Sequence, residues 1–290
     1  LDPSCWHLAA MEAECLTALG RDDEAIERLR RGSSRFEAGN ILAQLANIEM
    51  ELEHWDAAWD ALDRLGAILP TQADPDESDG YGQWLAGRRS DVCWMRGDSA
   101  GAAEWAKKAG DVESFHGRFA ARLAQPPPGA SRATLPVGFT RQEHMTCAPA
   151  TLATICRYWK RPAEHIAIAD AICYDGTSRL KERAWAEEHG WAAREFTVTP
   201  ECARALIDSG IPFILSTVDP GAAHAQAVIG YDDLRGTLLI RDPYVRSKNE
   251  WIEEAAYKAQ ACCGPRGMAI VPLGERSRLD RVPMPDAPAY

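Results

Sequence analysis

His224-Ala-Gln-Ala-Val-Ile-Gly-Tyr-Asp-Asp-Leu-Arg-Gly-Thr-Leu-Leu-Ile-Arg-Asp242 is the segment on which the reading of the fold turns. Two largely apolar runs flank the polar turn Asp232-Asp-Leu-Arg-Gly236, the pattern of an antiparallel hairpin. His224 falls opposite Asp242 if the turn is centred on Asp233, a residue the polar stretch brackets. A one-residue slip or a bulge offsets the two but leaves them neighbours at the open end of the hairpin. A carboxylate beside an imidazole fixes its tautomer and stabilises the imidazolium. Alone, Asp242-Pro243 reads as an ordinary strand-ending turn; opposite His224 it reads as the partner of a base.

A base of this kind serves a nucleophile. Upstream lies Gln142-Glu-His-Met-Thr-Cys-Ala-Pro-Ala150, followed by a helix-compatible apolar pattern from Ala150 to Trp159. Thr146 reads as a helix cap and Pro149 suits a first turn. Cys147 therefore opens a helix, where the dipole and the free amides favour a thiolate. Cys156, Cys173 and Cys202 read as core thiols. His165 and His189 lie in charged helical stretches and read as solvated; His144 is near Cys147 only in sequence. Gln142, five residues before Cys147, could donate its side-chain amide to an oxyanion together with the Cys147 N–H. A Gln on a loop is otherwise simply solvated.

The chain of 290 residues suits two domains, and its net charge of −11 argues against sequence-independent binding of nucleic acid. No stretch has the apolar length of a membrane span. Nine cysteines at irregular spacings suggest reduced thiols in the cytoplasm. None forms a zinc-knuckle pair, adjacent Cys262 and Cys263 included, so neither a metal nor a cofactor is expected. Leu1 in place of Met is expected of a chain whose natural start is missing or processed.

Before this chemistry the sequence follows helical rules. Three segments look alike: Leu19-Gly-Arg-Asp-Asp-Glu-Ala-Ile26, Leu52-Glu-His-Trp-Asp-Ala-Ala-Trp59 and Arg96-Gly-Asp-Ser-Ala-Gly-Ala-Ala103. Each reads as a polar turn between two helices, and Leu19 to Leu52, like Leu29 to Leu62, is an offset of 33 positions. Pro70 to Gly82, rich in Asp, Pro and Gly, reads as a loop inserted before the third copy. Gly20 and Ala25 resemble the tetratricopeptide repeat family, whose stacked helix pairs bind peptides or proteins; a generic array of helical hairpins fits comparably. Gln125-Pro-Pro-Pro-Gly-Ala-Ser-Arg132 cannot continue a helix and marks a linker.

The order Gln142, Cys147-Ala-Pro-Ala150, His224-Ala-x-x-Val-x-Gly-Tyr231, Asp242-Pro243 resembles the bacteriocin-processing peptidase family of papain-like enzymes. The similarity spans roughly Leu135 to Leu273 and includes Gly210-Ile-Pro-Phe-Ile-Leu215, a buried strand. The resemblance implies Cys147 as nucleophile, His224 as general base and acid, Asp242 as its orienting partner and Gln142 as oxyanion donor. The best-known members remove leader peptides after a double glycine and are fused to membrane transporters. Here helical repeats stand in the transporter's place, and Ala148 replaces a usual Gly, which is expected to tighten backbone approach to the substrate.

The expectation is an α+β chain: a tetratricopeptide-like domain over 1–124, a linker over 125–134, a papain-like cysteine peptidase domain with an antiparallel sheet over 135–274, and a tail over 275–290. It would cleave a peptide or protein, with the repeats recruiting substrate or a protein partner. Three rivals stand beside it. A transpeptidase or cyclase would use the same thioester, a binding module would keep the fold without turnover, and a zinc hydrolase would use His144, Cys147 and His224.

Overall fold

The computed structural model describes residues 6–35, 37–72, 78–219, 222–244, 249–258 and 265–286; Cys5, Cys262 and Cys263 lie outside them. The chain forms two compact units, Leu1–Pro128 and Gly129–Tyr290.

The first unit is helical: α1 (Trp6–Ala18), α2 (Asp22–Arg35), α3 (Gly39–Glu51), α4 (Trp55–Gln72), α5 (Ser78–Met95), α6 (Ser99–Ala109) and α7 (Phe115–Ala124), each packing on the next. The three similar sequence segments make the same turn. Arg21 N–H donates to Leu16 C=O, His54 to Glu49 and Asp98 to Cys93. Two residues past each helix, Gly20 (φ 71°), Glu53 (φ 63°) and Gly97 (φ 81°) take the left-handed conformation of a Schellman cap. Five residues further on, Ala25, Ala58 and Ala102 are fully buried, and one helical turn later so are Leu29, Leu62 and Ala106. A common cap followed by a small residue on the inner face is thus the structural content of the repeat.

Of the loop expected over Pro70 to Gly82, residues 73–77 lie outside the described residues; on either side α4 runs on to Gln72 and α5 begins at Ser78. Glycine costs a helix about 1 kcal/mol relative to alanine. Gly80 and Gly82 fall in the opening turns of α5, whose later residues Leu85, Ala86 and Val92 are buried and hold the helix in place.

The second unit places helices on both faces of a seven-stranded sheet. In chain order the elements are β1 (Arg132–Thr134), α8 (Cys147–Tyr158), α9 (His165–Ile172), α10 (Arg179–Glu188), β2 (Trp191–Thr197), α11 (Pro200–Asp208), β3 (Phe213–Asp219), β4 (Ala222–Asp232), β5 (Thr237–Arg241), β6 (Glu250–Ile252), α12 (Glu253–Lys258), β7 (Arg266–Pro272) and α13 (Ser277–Asp280). The order is β2-β7-β3-β4-β5-β6, every pairing antiparallel. Alternation on the strands divides the core. Ile214, Ala225, Ala227 and Ile229 pack with Leu152 and Ile155 of α8, whereas Phe213, Leu215 and Val228 pack with Cys202 and Leu206 of α11.

Near its end, β4 exchanges β3 for β1, with Thr134 opposite Gly230. A Cβ at Gly230 would meet the Ala133 carbonyl oxygen at 2.3 Å, so a side chain there is excluded. The hairpin between β4 and β5 forms, but a bulge between Val228 and Gly230 shifts its register. Ala227 pairs with Arg241 and Val228 with Ile240, so Asp242 lies diagonally from His224 and not directly opposite.

Glu53 is the one of the three left-handed repeat residues that is not glycine, and its side chain is exposed. Glu53→Gly is expected to stabilise the helical unit by roughly 0.5–1 kcal/mol, because a Cβ is disfavoured at that φ. Thermal or denaturant unfolding of the full chain checks this; an unchanged or lowered midpoint contradicts it.

Candidate active site

The site is assembled from three elements. Cys147 is the first residue of α8, His224 lies on β4, and Asp242 follows the last residue of β5. His224 Nε2 donates to Asp242 Oδ1 at 2.8 Å. The same carboxylate oxygen accepts the Tyr244 N–H at 2.9 Å, which fixes its orientation within the turn. Asp242 is almost wholly enclosed, with 3% side-chain exposure against 27% for His224. The Cys147 side chain acts on the same ring.

Burial by itself lowers the pKa of the His224 imidazole. Hydrogen bonds to Asp242 and Cys147, with the attraction of both negative charges, outweigh it and push the pKa up to about 9. Because this folded value lies above the ordinary 6.5, the imidazolium contributes stability in full below about pH 6.5. That contribution is lost as pH rises through about 9. At neutral pH the geometry therefore holds a proton on the ring beside the sulfur and the carboxylate, ready to be delivered.

Two bonds fasten the loop before Cys147 to the end of β5 and the turn that follows it. Arg241 Nε donates to the Val137 carbonyl at 3.1 Å, and Gln142 N–H donates to the Pro243 carbonyl at 2.9 Å. Gln142 thereby sits beside the Asp242–Pro243 turn. Its side-chain Oε1 is buried without a hydrogen-bond partner among the described residues. On the other side, Thr151 Oγ1 donates to the Ala225 carbonyl at 3.2 Å and ties α8 to the strand of His224.

Residues 134–262 match the Peptidase C39 like family. The second unit is a cysteine peptidase domain similar to that family. Among solved structures, the peptidase domain of Streptococcus ComA, a bifunctional ABC transporter involved in a quorum-sensing pathway, is 18% identical with a TM-score of 0.37, over 46% of this chain and 96% of that one. No curated protein matches the chain. No helix among the described residues is long and apolar enough to cross a membrane.

Within the C39-like domain the other thiols behave differently from Cys147. Cys156 is buried in the core, where desolvation pushes its pKa up to about 12. Cys202 is buried too, and burial raises its pKa. Cys173 corrects the reading as a core thiol: it is half-buried at the end of α9, and its Sγ donates to the Met145 carbonyl at 3.4 Å. His189 is exposed and stacked on Trp185, and His144 is exposed. Among the described residues, no three His, Cys, Asp or Glu side chains converge as a metal site.

Ala148 is 4% exposed and packs with Leu152 and Val137. One further expectation needs correction. His165 is not a solvated surface residue, because its Nε2 lies 2.8 Å from Thr146 Oγ1, directly before the nucleophile. Its position at the first residue of α9, which packs on α8, was the available signal.

Asp242→Asn removes the charge that holds the proton on His224. Labelling of Cys147 by iodoacetamide at pH 7 is expected to slow by roughly tenfold or more. Peptide mapping of the alkylated protein measures it, and an unchanged rate would show that Asp242 does not support the pair.

Proposed function

We propose that the chain is a cysteine peptidase acting on a peptide or protein substrate, with Cys147 as nucleophile, His224 as general base and acid, Asp242 as the group that orients His224, and Gln142 as oxyanion donor. The observation that carries this reading is the continuous contact from the Cys147 thiol through the His224 ring to the Asp242 carboxylate at 2.8 Å.

The chemistry follows from that contact. The thiolate attacks the scissile carbonyl carbon, and the developing oxyanion is received by the Cys147 N–H and the Gln142 side-chain amide. His224 gives its proton to the departing amine through the nitrogen that faces Cys147. A water molecule, deprotonated by the same nitrogen, then hydrolyses the thioester and restores the thiolate–imidazolium pair. Throughout, Asp242 keeps the ring in one orientation and compensates its charge.

The helical unit would present the substrate or a partner protein. The cleft between its second and third turns, lined by Glu53, His54, Trp55, Asp56 and Arg96, offers both charge and an aromatic face for a peptide. A leader-bearing peptide suits such a division of labour, with recognition on the repeats and cleavage in the peptidase domain.

Cys147→Ala is expected to abolish cleavage of a precursor-peptide library followed by mass spectrometry, with products of the active enzyme carrying one added water. Cleavage at the wild-type rate by the variant would remove the proposal. Products joined to an amine in place of water would move the activity to peptide transfer.

A further inference from the structure

The Thr146 hydroxyl occupies the capping position of α8, yet it makes no capping hydrogen bond to that helix. A threonine there ordinarily accepts from the amide of the second or third helical residue. In α8 the third residue is Pro149, which has no N–H, so the amide available to a capping hydroxyl is that of Ala148, next to Cys147.

The hydroxyl is turned away instead, and its whole bonding capacity is used elsewhere. It donates to the Glu143 carbonyl at 3.1 Å, accepts the Glu143 N–H at 2.9 Å, and contacts His165 Nε2 at 2.8 Å. A hydroxyl has one hydrogen and two lone pairs. With its hydrogen on the Glu143 carbonyl, the hydroxyl accepts in the third bond from a His165 ring carrying hydrogen on Nε2. The turn that this arrangement closes contains Met145 at φ 57°, a conformation disfavoured for a residue with a side chain. The Cys173 thiol holds the Met145 carbonyl from the far side. The first intrahelical bond of α8 comes from Ala150 N–H to the Thr146 carbonyl, so the Cys147 and Ala148 amides precede the ladder.

We propose that His165 and Thr146 are positioning residues of the oxyanion site: His165 holds the Thr146 hydroxyl away from α8 and fixes the turn before Cys147, which keeps the Cys147 amide directed at the substrate carbonyl. This rests on the reading of Cys147 as nucleophile. Neither side chain touches the reacting atoms. Their effect falls on carbonyl addition, which develops an oxyanion, and not on simple alkylation, which develops none.

That difference supplies the test. Acylation of Cys147 by p-nitrophenyl acetate passes through an oxyanion; alkylation by iodoacetamide does not. Both rates are measured at Cys147 by peptide mapping in the full chain, with folding checked by circular dichroism. His165→Phe and Thr146→Val are expected to slow acylation roughly tenfold to a hundredfold while alkylation stays within about twofold. His165→Gln, which retains a side-chain N–H, is expected to recover most of the acylation rate. Acylation within twofold of wild type in both His165→Phe and Thr146→Val overturns the proposal, as does an equal fall of both rates. Failure of the underlying reading shows separately, as peptide cleavage that persists in Cys147→Ala.

Discussion

The contact between His224 and Asp242 is the constraint that the peptidase domain is built around. A carboxylate that is 3% exposed is costly unless it is both charge-compensated and hydrogen-bonded. Asp242 meets both conditions through the His224 ring and the Tyr244 amide. The ring in turn keeps its proton only because two negative partners outweigh its desolvation. The start of α8, the strand β4 and the end of β5 must therefore meet at one point. The bonds from Thr151 to Ala225, from Arg241 to Val137 and from Gln142 to Pro243 are the ties that bring them there.

The sheet makes this convergence rigid. Helices cover both faces, so a one-residue shift of β4 would exchange its two buried faces and move His224 away from α8. The bulge between Val228 and Gly230 illustrates the tolerance and its limit. It displaces the pairing enough to set Asp242 diagonally from His224, yet the open end of the hairpin still closes a 2.8 Å bond. In the helical unit the equivalent constraint is local: a left-handed cap, then a buried small residue, repeated at Gly20 and Ala25, Glu53 and Ala58, and Gly97 and Ala102.

Much of this was legible in the sequence because it depends on short-range patterns. Hairpin alternation around Asp232–Gly236, a cysteine preceding an apolar helix with Pro149, and the recurring Gly20-like turns each declare themselves within a dozen residues. What stayed hidden depends on side-chain direction. Cys173 reads as core until its thiol is found on the Met145 carbonyl. Thr146 reads as a cap, which is its place in the backbone but not the direction of its hydroxyl. Only the packing of α9 on α8, a tertiary fact, connects His165 to it. Gly80 and Gly82 misled for the opposite reason, since these local breakers yielded to the burial of the helix that contains them.

The most direct test of the central pair is the titration of the His224 ring, followed by nuclear magnetic resonance in the intact protein between about pH 5 and 10. A ring held between the Cys147 sulfur and Asp242 stays protonated through neutrality and titrates near pH 9. A midpoint at or below the ordinary 6.5 would contradict the ion pair and the mechanism built on it.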